Sequence, residues 1–137
     1  MSQDSPIQVA VIDHVVLRTR HLNRMIAFYR DVLGCPVERE AGASGLAQLR
    51  AGDSLIDILD ISGSSDSDDD DLPRADNMDH VCLQLKVWDE KKIIAHLRRH
   101  SVTAGDVVTR YGATGNGPSM YISDPDGNTV ELKGEPD

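Results

Sequence analysis

Apolar and polar residues alternate along two short segments that begin with nearly the same five residues. Asp13-His14-Val15-Val16-Leu17 returns 66 residues later as Asp79-His80-Val81-Cys82-Leu83. A period of two is typical of a strand with one buried face. After each copy, apolar residues recur every three or four positions, which predicts an amphipathic helix. The chain therefore contains one strand–helix unit written twice.

Further apolar runs predict three more strands after each helix. In the first copy they cover residues 37–40, 45–50 and 54–61, and in the second 107–110, 119–123 and 128–132. Asp124-Pro125-Asp126-Gly127 separates the last two and is typical of a tight hairpin turn. The glycine-rich segment 111–118 predicts a loop that closes over a site like a lid. The predicted fold class is α+β, with two βαβββ modules.

The 137 residues predict a single domain, with modules at 7–62 and 77–133 joined by an acidic linker at 63–76. Five aspartates between residues 66 and 71 predict a solvated segment. A calcium-binding loop is the alternative, but the glycine and glutamate of an EF-hand loop are missing from their positions. The linker contributes five of the charges that make up the net charge of −9, so the acidity says little about function.

Composition excludes several classes of protein. Hydrophobic residues make up 39% of the chain, which is enough for a core. The acidic balance argues against nucleic-acid binding, and no apolar run approaches the ~20 residues that cross a bilayer. We see no secretory signal, and Cys35 and Cys82 are too few for a disulfide framework. We therefore expect a cytoplasmic protein with no nucleic-acid or membrane partner.

Strand alternation places His14 and His80 on the sheet face opposite the apolar residues that meet the helices. Glu131 shares that face, and alignment of the two terminal hairpins makes Asp57 its counterpart in the first module. Asp57 stands among aliphatic residues, where an ionised carboxylate is costly unless it is paired or bound to a metal. Imidazole and carboxylate ligands suit Zn²⁺, Ni²⁺, Co²⁺, Mn²⁺ or Fe²⁺. The four residues predict a divalent metal site, and the alternative is a structural role for each.

Two segments carry a family resemblance. Residues 12–17 with 25–34 resemble the opening of the vicinal oxygen chelate superfamily, and residues 121–132 resemble its terminal hairpin. That superfamily contains glyoxalase I, fosfomycin thiol transferases, extradiol dioxygenases, methylmalonyl-CoA epimerase and bleomycin-binding proteins. The resemblance extends over residues 7–133, apart from the acidic linker.

The resemblance implies a cupped mixed sheet around a divalent metal, with the helices outside. It implies His14, His80 and Glu131 as ligands, with Asp57 in a position that varies between subfamilies. Glu131 and Asp57 are also the candidates for proton transfer, unless both are fixed ligands. Small members are commonly homodimers, which we expect here because an open sheet leaves apolar surface to cover.

Three further residues are candidates for substrate binding. Tyr121 matches a position that often lines the pocket in the family, although rim packing is the alternative. Cys82 shares the face of His80, although a packing role is the alternative. Arg18 would attract an anionic substrate, unless it is an ordinary surface arginine.

The leading hypothesis is a metal-dependent lyase or isomerase of the glyoxalase type that acts on a small oxygenated metabolite. A thiol transferase is disfavoured because Val16 replaces the usual Thr and Lys133 stands where an Arg is usual. A Fe²⁺-dependent extradiol-type dioxygenase is an alternative, but it needs a further histidine, and His96 and His100 fall on the second helix. A metal-free binding or resistance protein is the other alternative, which the retained ligand residues disfavour.

Overall fold

The computed structural model describes residues 8, 10–63 and 78–136. The chain divides into two compact units, with the boundary between Ser64 and Ser65. Each unit contains one four-stranded mixed sheet and one principal helix, so the predicted α+β class with two βαβββ modules is confirmed. The predicted linker at 63–76 lies outside the described residues except for Gly63, as does its calcium-binding alternative. None of the helices in the described segments has both the length and the apolar character that crossing a membrane requires.

The first unit begins with a strand and a helix and ends with an antiparallel meander. Its elements are β1 (His14–Thr19), α1 (Leu22–Ala27) with a π-helical turn (Phe28–Val32), β2 (Val37–Ala41), a 3₁₀ turn (Gly42–Ser44), β3 (Leu46–Ala51) and β4 (Ser54–Asp60). The strand order is β1-β4-β3-β2, and only β1 and β4 run parallel. The crossover helix thus brings the first strand next to the last.

The helix of the first unit buries one face in an aliphatic core. Met25 and Tyr29 are fully buried, as are Leu49 and Ile58 of the sheet. Gly34 has a φ of 74°, a left-handed conformation that glycine adopts readily and that ends the helical segment. Burial of this apolar face, rather than intrinsic helix propensity, stabilises so short a helix.

The second unit repeats the topology. Its elements are β5 (Val81–Gln84), α2 (Glu90–Arg99), β6 (Val108–Gly112), β7 (Gly115–Ser123) and β8 (Thr129–Lys133), in the order β5-β8-β7-β6. The Asp89 side chain caps α2 by accepting a hydrogen bond of 3.2 Å from the backbone N–H of Lys92. Leu97 is the buried residue of the helix, and it joins Met120 and Val130 in the apolar core of this unit.

The predicted lid at residues 111–118 is wrong. Strand β6 runs to Gly112 and β7 begins at Gly115, so most of this segment is paired sheet with a tight turn. The glycines serve packing, because the buried side chain of Lys133 lies against them. A Cβ at Gly112 would lie 2.9 Å from Cε of Lys133, and one at Gly117 would lie 3.2 Å from its Nζ. A glycine-rich sequence does not distinguish close packing from mobility.

The predicted hairpin before β8 is confirmed and is held by Asp124. Its Oδ1 accepts hydrogen bonds of 2.9 Å from the backbone N–H groups of Asp126 and Asn128, and its Oδ2 accepts one of 2.8 Å from the side chain of Asn128. Gly127 completes the turn with a φ of 86°. The turn thereby sets the register in which β8 presents Glu131.

Substitution of Asp124 by alanine tests this turn. We expect D124A to lower the free energy of unfolding by about 1–3 kcal/mol, because two backbone donors and one side-chain donor lose their acceptor. The matched control is D126A, whose exposed side chain lies in the same turn and whose loss costs less than about 0.5 kcal/mol. Urea unfolding measures both, and an equal effect of the two substitutions would contradict the role of Asp124.

Candidate metal centre

The first unit pairs a histidine with a buried aspartate. His14 opens β1, and Asp57 on β4 stands opposite Val16, two residues along the same face. The Nε2 atom of His14 lies 4.0 Å from Oδ2 of Asp57. The side chain of His14 is half-exposed, so this pair is open to solvent on the imidazole side.

The second unit repeats the pair with a glutamate. His80 directly precedes β5, and Glu131 on β8 stands opposite Cys82, again two residues along. The Nε2 atom of His80 lies 3.1 Å from Oε1 of Glu131. Each unit therefore contains one His–carboxylate pair, in which His14 corresponds to His80 and Asp57 to Glu131, as the alignment of the two modules predicts.

The other ring nitrogen of each histidine meets the aspartate that precedes it in sequence. Nδ1 of His14 lies 2.8 Å from a carboxylate oxygen of Asp13, and Nδ1 of His80 lies 2.7 Å from one of Asp79. The hydrogen bond with Asp13 is the main cause that raises the pKa of His14 above its usual value. Because an ionised carboxylate only accepts, these contacts assign a proton to Nδ1, and the neutral imidazole then has the lone pair of Nε2 left for a ligand.

These orienting aspartates are candidate site residues that the sequence alone did not single out. The signal was present, because the Asp-His dipeptide is itself part of the repeat. A histidine that binds a metal commonly donates its second nitrogen to a carboxylate, which fixes the ring. Both histidines have this arrangement.

The two carboxylates are buried and incompletely satisfied. Asp57 and Glu131 are only 3% and 5% exposed. Oδ2 of Asp57 accepts a hydrogen bond of 3.1 Å from the Gln48 side chain, whereas its buried Oδ1 has no hydrogen-bond partner within the described residues. An unpaired buried carboxylate oxygen is costly, and contact with a cation would compensate for the lost hydration.

The donor chemistry of both pairs fits a divalent metal. In each unit an imidazole nitrogen with its lone pair faces a carboxylate oxygen, and two such acceptors repel unless a proton or a cation lies between them. Two donors bound to one tetrahedral Zn²⁺ at about 2.0–2.2 Å lie about 3.3–3.6 Å from each other, and the separations of 3.1 Å and 4.0 Å in the two units lie on either side of that range. Across residues 10–63 and 78–136, no three His, Cys, Asp or Glu side chains form a cluster that would hold a metal ion. The ligand-type residues form two pairs, one in each unit.

Two of the three predicted substrate-binding residues lie beside the second pair. Tyr121 stands opposite Glu131 in the sheet, and its ring meets that of His80 edge to face with centroids 5.5 Å apart. Cys82 stands opposite Glu131 on the other side. Burial, followed by the negative charge of Glu131, raises the pKa of the Cys82 thiol to about 11, so the thiol is protonated and a weak nucleophile at neutral pH.

Arg18 is exposed on β1, four residues beyond His14 on the same face. A second arginine, which the sequence reasoning missed, lies closer to a predicted site residue. The guanidinium carbon of Arg110 is 4.2 Å from the centre of the Tyr121 ring. The alternation of side chains along β6 indicates the sheet face of Arg110 from the sequence alone. Its stacking on a residue of β7 depends on the strand pairing.

The family of the chain follows from a match over most of its length. The sequence model of the Glyoxalase/Bleomycin resistance protein/Dioxygenase superfamily matches residues 11–132. The chain belongs to this superfamily. The predicted resemblance is thus confirmed. Members of the superfamily generally use divalent metals, which agrees with the donor chemistry of the two pairs.

Several solved structures share the fold over nearly the whole chain. A protein from the mobile metagenome of V. Pseudocholerae is 24% identical with a TM-score of 0.75, and the match covers 96% of this chain and 98% of that one. The lactoylglutathione lyase of Agrobacterium tumefaciens is 21% identical, with a TM-score of 0.62 and coverage of 92% and 94%. The fosfomycin resistance protein FosX of Listeria monocytogenes is 19% identical, with a TM-score of 0.68 and coverage of 94% and 96%. At these identities the likeness shows the fold alone.

The two carboxylates differ in their contacts. Replacing each with its amide should therefore change the free energy of unfolding of the metal-free protein in opposite directions. D57N should leave the free energy of unfolding unchanged or raise it by up to about 1 kcal/mol, because it removes a buried charge whose Oδ1 is unpaired. E131Q should lower it by about 1–3 kcal/mol, because without a metal a proton between Nε2 of His80 and Oε1 of Glu131 holds the pair at 3.1 Å, and the neutral amide removes the charged acceptor. Urea unfolding in the presence of a chelator measures both. A larger loss in D57N than in E131Q would contradict this description of the two pairs.

Proposed function

We propose that the protein is a metal-dependent lyase or isomerase of the glyoxalase type, with a small oxygenated metabolite as its substrate. His14, His80 and Glu131 are the proposed ligands of one divalent metal, with Asp57 as the fourth. The observation that carries this proposal is the repeated pair of an oriented imidazole and a buried carboxylate. We also propose that it acts as a cytoplasmic homodimer, in line with the exposed apolar residues Val11, Ile12 and Val16.

The metal, when bound, supplies Lewis acidity to two neighbouring oxygens of the substrate. The chain supplies orientation and proton transfer. Asp13 and Asp79 hold the two imidazoles through Nδ1, so that both Nε2 lone pairs face the carboxylates. Burial of Asp57 and Glu131 keeps water away from the proposed ligand atoms and strengthens their electrostatic interactions.

Asp57 is the better placed of the two carboxylates to accept a proton. Its Oδ1 has no hydrogen-bond donor within the described segments, whereas Oε1 of Glu131 already faces His80. Oδ1 serves either as a ligand or as a base in any one complex. The variant D57N separates these roles, since loss of a ligand weakens metal binding and loss of a base lowers turnover alone.

The alternatives receive less support. A metal-free binding protein has no need of a buried carboxylate with an unpaired oxygen. An extradiol-type dioxygenase needs a further histidine near the metal, but His96 and His100 lie at the end of α2, where their rings contact each other with centroids 4.7 Å apart. The lyase or isomerase therefore fits the residues best.

Metal titration tests the proposal once a competing site has been removed. His96 and His100 are one helical turn apart, which is a spacing that binds Zn²⁺ or Co²⁺ at a protein surface, so H96Q/H100Q is the parent protein. We expect this parent to bind one Co²⁺ per chain. H14A, H80A or E131Q made in it should each weaken binding by at least tenfold, because each removes a ligand. Calorimetry and the Co²⁺ absorption spectrum measure affinity and ligand field.

Two results would contradict the proposed metal site. One is a parent protein that binds no metal once the helix histidines are replaced. The other is full affinity in H14A and H80A alike. Because the two named relatives are a lactoylglutathione lyase and a fosfomycin resistance protein, lactoylglutathione and fosfomycin are the first compounds to assay with the metal-loaded parent.

A further inference from the structure

A cation stands one aromatic ring away from the His80–Glu131 pair. The guanidinium carbon of Arg110 lies 4.2 Å from the Tyr121 ring centre, and that ring contacts His80 edge to face. We propose that Arg110 binds an anionic group of the substrate. The substrate class is then a small metabolite that carries a carboxylate, phosphate or phosphonate in addition to its vicinal oxygens. This inference rests on the proposed function, since it names the substrate of the same site.

The strand pairing of the second unit places Arg110 on the ligand face of the sheet. Residue 110 pairs with Gly117 on β7, and Tyr121 lies four residues further along that strand on the same face. Tyr121 in turn pairs with Glu131 on β8. The neighbouring strands β6, β7 and β8 thus carry Arg110, the Tyr121 ring and Glu131 in that order.

Two hydrogen bonds and a contact with the Tyr121 ring hold the guanidinium of Arg110 in place. Its Nη1 donates hydrogen bonds to the hydroxyl of Ser119, at 2.5 Å, and to the Ser119 carbonyl, at 3.2 Å. Ser119 is fully buried, so these acceptors are fixed. Stacking on Tyr121 engages the flat face of the guanidinium and fixes its plane. A guanidinium held in this way loses little further freedom when it binds an anion.

The remaining donors of Arg110 have no partner within the described part of the chain. Nη1 meets Ser119, but neither Nε nor Nη2 forms a hydrogen bond there, and no carboxylate there pairs with the guanidinium. Two other arginines differ, since Arg30 and Arg50 each form two hydrogen bonds to one carboxylate. An anchored arginine with its edge donors open is suited to a carboxylate or phosphate, which accepts two parallel N–H groups.

Charge makes this role specific. The chain has a formal net charge of −9, and Glu131 adds a negative charge at the site itself, so an anionic substrate needs a local cation. Arginine stays protonated at every physiological pH and supplies that charge constantly. A purely structural clamp on Ser119 and Tyr121 would have no preference for a charged ligand. That difference is what an experiment can measure.

The test compares two probes that share their vicinal oxygens and differ in one charge. 2-Oxoglutarate and 2-oxobutyrate each carry a 2-oxo carboxylate, and only the first has a distal carboxylate. Binding is measured by calorimetry on the Zn²⁺-loaded H96Q/H100Q protein, because Zn²⁺ is redox-inert and does not alter the probes. We expect 2-oxoglutarate to bind about tenfold more tightly. R110Q should abolish this preference, while R99Q, which replaces an exposed arginine of α2, should retain it.

Each outcome decides the proposal. Equal affinity for the two probes, binding of neither probe to the metal-loaded protein, or a preference that survives R110Q would overturn it. Unfolding of R110Q in urea is followed in parallel, and if it is destabilised, R110K, which keeps the charge, should regain part of the preference. If the protein binds no metal, the proposed function is contradicted, and the inference about Arg110 is then tested separately. The comparison is then made with glutarate and butyrate on the metal-free protein, where the same loss in R110Q supports Arg110 and its absence rejects it.

Discussion

A buried carboxylate that faces the imidazole of a neighbouring strand is the interaction on which the rest of the structure depends. It occurs twice, as His14 with Asp57 and as His80 with Glu131. Burial removes the hydration of these carboxylates, and the remaining cost requires a cation or a proton at the pair. The fold thereby maintains two pairs of metal-ligand type beside a mostly apolar core.

The strand order of each βαβββ module brings this histidine and this carboxylate together. The crossover helix makes the first strand parallel and adjacent to the last, so residues far apart in sequence become neighbours. Tight turns then set the register, and Asp124 does so for the strand of Glu131. The apolar face of each strand fixes which residues point away from the core.

Much of this arrangement could be predicted from the sequence, because it follows from the alternation of apolar residues and from the internal repeat. The two modules, the hairpin before β8 and the equivalence of the two His–carboxylate pairs followed from alternation and alignment alone. The lid at 111–118 did not, because glycines that make room for Lys133 look like glycines of a mobile loop. Arg110 was missed because its role arises from stacking across two strands, which no local pattern records.

The central claim is the proposal that one divalent metal has both His14 and His80 among its ligands. X-ray absorption of the Zn²⁺-loaded H96Q/H100Q protein measures this directly, since scattering from imidazole rings counts the histidines around the ion. The account predicts two imidazoles per Zn²⁺, with oxygen ligands completing the shell at about 2.0–2.2 Å. A spectrum with one imidazole per Zn²⁺, or with a sulfur ligand from Cys82, would contradict it.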